Sequence, residues 1–353
     1  MELTLERMRQ AFADLPEGYV TYEEFFSHRP IVDFYQQSIQ QKRQDDAVRF
    51  LASEFSQKSL PQAALMAFLC GSLVESGASP ETAFLPSANL LLAILQALEP
   101  YCAEAPSEVE EGEEDEEYIA ASTHFSDVQA LLANLSKEPK DRLDKLHRAA
   151  DILVLPLMAM LMRSTENHRR FLENKALVAL IRDCAYNNAL EFSDLHYLEL
   201  SAQLTYEDIV VVLPTSRTGL LVRIHAANNT FHALTLLQPL MAEHAAALRL
   251  GRVNPDVLQP ESVEYARYSW LSAVAYQGGE LKNSLALAWG EPPLYSHPRR
   301  GGKVVLFAVE DEEKNYLKRS WNNFCSVIHE EQRASATFIR YLTEEEVSLY
   351  MAG

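Results

Sequence analysis

The spacing of apolar positions changes character near residue 205. Before that point apolar residues recur at intervals of three and four. After it, short β-branched runs appear between loops and helical stretches. The contrast predicts an α+β chain, helical over 1–205 and mixed over 206–353. No glycine occurs between residues 113 and 218, a stretch rich in strong helix formers. Thr21 and Glu24 stand at capping-box spacing and predict a short helix carrying Phe25 and Phe26, with Pro30 ending it or starting the next. Pro61 opens a helix with Leu65, Phe68, Leu69 and Leu73 on one face and Gly77 as its stop. Pro86 and Ser87 open another, which carries Leu90, Leu91, Ile94, Leu95 and Leu98 as far as Pro100. Further helices are predicted over 126–135, 141–163, 166–186 and 192–204.

Leu177, Leu180, Ile181 and Cys184 fall on one face of the segment that follows Phe171. This segment resembles the helices of armadillo and HEAT repeats, and the resemblance implies helix pairs stacked into a solenoid. It spans little more than one helix, and the chain shows no repeat near 40 residues. An irregular helical bundle is therefore the preferred description of the first half, with armadillo- or HEAT-like helix pairs as the alternative.

The second half begins with a strand over 208–213 ending at Pro214, a turn over 215–219, and an alternating strand over 220–225. Asn228 and Asn229 suit a tight turn. Residues 230–237 then fit either a third strand or a helix, because Phe231, Leu234 and Leu237 satisfy both patterns. Helix is predicted over 239–250 and 262–276, and short strands over 285–289, 304–309 and 337–342. Thr343 and Glu346 form another capping box. The expected sheet is short and largely antiparallel.

Charge narrows the range of partners. The chain of 353 residues has net charge −19, and residues 1–120 alone hold 7 basic and 22 acidic side chains, net −15. Eight acids crowd into 108–117, which predicts a solvated, mobile acidic loop at about 103–118. No basic stripe with interleaved aromatics is present, so nucleic acid is not expected as a partner, nor is an anionic membrane surface. The first residues are charged and amphipathic rather than signal-like, and the longest apolar run has eleven residues, 152–162, interrupted by Pro156. Cys70, Cys102, Cys184 and Cys325 are widely spaced, without a CxxC pair. These features predict a cytoplasmic protein with reduced thiols.

No P-loop, GxGxxG, GxSxG or HExxH pattern occurs. No cofactor or metal is therefore assigned. If Asn228 and Asn229 form a two-residue hairpin turn, His225 and His232 become cross-strand neighbours about 5 Å apart. Such a pair could share a metal or a proton, although spacing supplies no third ligand. Arg217 lies in the preceding turn. A second cluster joins Lys318, Arg319, Trp321, Asn322 and Asn323 with Cys325 and His329, and a further loop carries Trp289, Tyr295 and His297. The catalytic candidates are accordingly His225, His232, Arg217, Arg319 and Asn322. The expected function is a non-catalytic protein-interaction scaffold or adaptor, binding a protein partner with a basic or mixed-charge surface. The alternative is an enzyme of hydrolase-like type with its site in the second half.

Overall fold

The computed structural model describes residues 22–102, 139–185, 192–251, 270–282, 292–310 and 333–352, with positions 6, 8, 10–12, 14, 190, 253, 267–268 and 318–319. The acidic tract, the helix expected at 126–135, the strand expected at 285–289 and Asn322 lie outside these residues. Contacts divide the chain into two units, Met1–Ala202 and Gln203–Gly353.

The first unit is helical. Its elements are α1 (Tyr22–Ser27), α2 (Arg29–Gln40), α3 (Gln44–Glu54), α4 (Leu60–Glu75), α5 (Glu81–Cys102), α6 (Pro139–Leu161), α7 (Thr165–Glu173), α8 (Lys175–Ala185) and α9 (Leu195–Ala202). Pro30 stands in the first turn of α2, where a missing N–H costs nothing. Ser59 donates its backbone N–H to the Gln62 side chain at 3.2 Å, which fixes the start of α4. Helix α4 is apolar on nearly every face, and α6 packs along it. Gly71 makes that contact close, because a Cβ there would lie 2.6 Å from Pro156 Cα. Helix α5 begins at Glu81 and runs through Pro86, rather than starting at Pro86 as the proline suggested. By length and composition its residues Glu81–Glu99 would suffice to cross a membrane. Leu90, Leu91, Ile94, Leu95 and Leu98 are instead buried against its neighbours in this unit.

The helix expected over 166–186 is broken at Asn174. The Asn174 side chain accepts the Leu177 N–H at 3.1 Å and so caps α8. Buried polar side chains tie α7 to its neighbours. Asn167 donates to the carbonyls of Pro80 and Met160, and the His168 Nε2 lies 2.8 Å from the Ser201 carbonyl.

The second unit is built on a mixed six-stranded sheet. Strands β1 (Thr205–Leu213) and β2 (Thr218–Ala227) form the expected hairpin. They are followed by α10 (Thr230–Glu243), α11 (Ala245–Leu248), β3 (Arg267–Tyr268), β4 (Leu271–Ala273), β5 (Ala275–Gln277) and β6 (Glu280–Lys282). Then come β7 (Arg299–Arg300), β8 (Lys303–Glu310), β9 (Lys318–Arg319), β10 (Ser335–Tyr341) and α12 (Glu344–Met351). The order is β10-β2-β1-β8-β4, with β7 paired to β8; every pairing is antiparallel except β1 with β8. The run from Ile209 to Leu213 is continuously apolar because both faces of β1 are covered. Ile209, Val211 and Leu213 face the cluster containing Leu234, Leu237 and Met241 of α10. Val210 and Val212 face a second cluster with Val305, Phe307 and Val347 of α12.

The expected Asn228–Asn229 turn and one expected helix are corrected, and the open choice at residues 230–237 is resolved. Residues 230–237 are helical, since the Asn229 side chain accepts the His232 N–H at 2.8 Å and caps α10 rather than turning a hairpin. The helix expected at 262–276 is not formed over its described part, which contains β3, β4 and the start of β5. There β4 pairs with β8 and closes the sheet edge.

Candidate functional site

Because α10 is a helix, His225 and His232 are not cross-strand partners. His225 lies on β2, in register with Ser335 of β10, and its ring meets Tyr206 edge-on at 4.8 Å. His232 lies in the first turn of α10. The chain bends between them at Ala226, whose φ of 55° is left-handed and costs a residue with a side chain about 1 kcal/mol. Arg217 also has a left-handed φ, 54°, in the β1–β2 turn. It sits at the opposite end of β2, about 25 Å of strand from His225. Arg319 pairs through β9 with Arg267 of β3. Of the five candidates, Arg217 and His225 thus stand at opposite ends of β2, His232 on α10 and Arg319 on the β3–β9 ribbon, while Asn322 lies outside the described residues.

A different group of polar residues does converge, at the start of α10. Thr230 N–H and Oγ1 both donate to the Pro292 carbonyl at 2.9 Å, and Oγ1 lies 2.8 Å from His297 Nε2. With the hydroxyl proton directed at Pro292, Nε2 of His297 is the donor to Thr230. The His232 Nδ1 accepts the Asn228 N–H at 3.1 Å, so the neutral ring carries its proton on Nε2. Burial holds His232 at about 3 and His297 at about 4, well below the ordinary histidine range, because the charged ring would lose its water. Thr230, His232 and His297 are 0%, 1% and 3% exposed.

This arrangement places a hydroxyl beside an imidazole, but a general base works best with a pKa near the operating pH. His297, held about three units lower, is a weak base, and its bond to Thr230 pins the 292–297 loop onto α10. Sequence reasoning noted His297 only as a loop residue and passed over Thr230. Their 67-residue separation leaves no local signal beyond the Asn229 cap that places Thr230 at the first position of the helix.

Several charged side chains on the sheet are paired. Arg299 holds Glu207 through two bonds of 2.7 and 3.0 Å, and Arg223 holds Asp208 at 2.8 Å. Arg340 of β10 grips Glu346 of α12 and holds its carboxyl at about 2. Among the described residues no three His, Cys, Asp or Glu gather as a metal site. Compared with protein-family models, with curated proteins and with solved structures, the chain matches none.

Proposed function

We propose that the protein is an interaction module without catalysis of its own, acting in the cytoplasm on a protein partner with a basic or mixed-charge surface. The observation that carries this reading is the enclosure of its chemistry-bearing groups. Thr230, His232 and His297 are shielded from solvent; Thr230 bonds the Pro292 carbonyl and His297, and His232 accepts the Asn228 N–H. The acid surplus of residues 1–120 supports a partner of complementary charge. Cys70 and Cys184, both buried and outside any disulfide, support a reducing compartment, and burial pushes the Cys70 thiol up.

Charge steering acts on association more than on dissociation and weakens as salt shortens the Debye length from about 10 Å at 0.1 M. A partner captured on immobilised full-length protein should associate roughly tenfold more slowly on raising salt from about 0.05 to 0.5 M, with dissociation little changed. A salt-insensitive association rate refutes the role of the acidic surface.

The hydrolase-like alternative draws on one observation, the 2.8 Å approach of Thr230 Oγ1 to His297 Nε2. Turnover of simple esters or amides, lost in both Thr230→Val and His297→Gln while tryptophan fluorescence stays native, would replace the non-catalytic reading.

A further inference from the structure

The β7–β8 hairpin carries two cations, Arg300 and Lys303, that make no close ion pair among the described residues, although Lys303 acts at longer range on Asp208. Gly301 and Gly302 form its two-residue turn with φ of 58° and 76°, a conformation that suits glycine. The turn sets Arg300 directly opposite Lys303, with Cβ atoms about 5 Å apart. Both side chains are half-buried. The Arg300 guanidinium lies over the Phe307 ring at 5.5 Å, and Phe307 is itself backed by Tyr276. Solvent does not reach Nη1 of Arg300, and that nitrogen has no hydrogen-bond partner among the described residues. Glu207 is paired with Arg299 and Asp208 with Arg223, and Asp208 is shared at longer range with Lys303.

Two costs are built into this hairpin. A desolvated guanidinium N–H without an acceptor is destabilising, and like charges directly across a ladder repel. Both persist in a chain that carries 50 acidic side chains against 31 basic ones. An oxyanion beside the pair would relieve the repulsion as bound, and the orphaned N–H once the Arg300 side chain rotates to meet it. The guanidinium lies over Phe307, and its planar fork of N–H groups matches two oxygens of a carboxylate or phosphate. Lys303 would supply a second, rotatable donor from across the turn.

We propose that Arg300 and Lys303, seated over Phe307, form a binding site for a small oxyanion, a carboxylate or a phosphate. The full-length protein is tested by thermal unfolding followed through tryptophan fluorescence at constant ionic strength. The additives are acetate, inorganic phosphate and, as the neutral isostere, acetamide. At about ten times the dissociation constant the bound oxyanion should raise Tm by about 3 °C. The expected result is a rise with acetate or phosphate, none with acetamide, and loss of the rise in both Arg300→Met and Lys303→Met. A rise with one anion alone assigns the site to that chemistry. If Arg300→Met does not unfold cooperatively, Lys303→Met gives the same test from the more flexible donor. No rise in the wild type overturns the proposal, because the pair is then satisfied within the chain. An equal rise in the wild type and the variants also overturns it.

Discussion

Lowering the pH should destabilise the second unit well before any carboxylate matters, and His232 and His297 set the size of the effect. Each ring is neutral and buried in the fold, with pKa about 3 and about 4, against about 6.5 when unfolded. Protons therefore bind the unfolded chain first, and stability present above pH 6.5 is lost as the pH falls towards the folded values. At pH 5 the unfolded rings are almost fully charged and the folded ones almost fully neutral. Each ring then costs ~2 kcal/mol relative to pH 7.5, and the two together ~4 kcal/mol. That is a large part of the roughly 5–15 kcal/mol that holds a typical domain together.

All three tryptophans, Trp270, Trp289 and Trp321, belong to the second unit, so their fluorescence during denaturant unfolding reports on that unit. His232→Asn keeps an acceptor near the Nδ1 position, and His297→Gln keeps a donor near Nε2. Each removes one titrating ring, so the loss between pH 7.5 and pH 5 should shrink to ~2 kcal/mol. Stability that does not change over this interval, or an undiminished loss in both variants, would refute the assignment of two buried neutral imidazoles.

Two further outcomes follow from packing and capping. Gly71→Ala places a methyl 2.6 Å from Pro156 Cα, so overpacking of ~1–3 kcal/mol should outweigh the helix-propensity gain of ~1 kcal/mol; a more stable variant in circular-dichroism melts would show that α4 and α6 separate freely. Thr343 accepts the Glu346 N–H at 3.1 Å at the start of α12, and Thr343→Ala should cost ~1 kcal/mol in denaturant unfolding of the second unit, whereas an unchanged midpoint would mean that α12 adds nothing to its stability.

What the amino-acid sequence determined by itself is local. The capping pair at Thr343 and Glu346, the proline starts of α2 and α4, and the β1–β2 hairpin follow from contacts within a few residues. The change from helical to mixed character near residue 205 follows from periodicity. The Gly301–Gly302 turn was equally legible, and reading it as a hairpin would have set Arg300 against Lys303 in advance. The fate of residues 230–237 was not legible, because their apolar spacing satisfies strand and helix alike. The Asn229 cap and the sheet face that Leu234 and Leu237 cover made it a helix. That outcome separated His225 from His232 and brought Thr230 to His297. Burial then made both rings of that cluster, His232 and His297, neutral. The desolvation of a side chain depends on which distant segments pack over it, so only the tertiary structure could decide which of the chain's ten histidines would lose their charge.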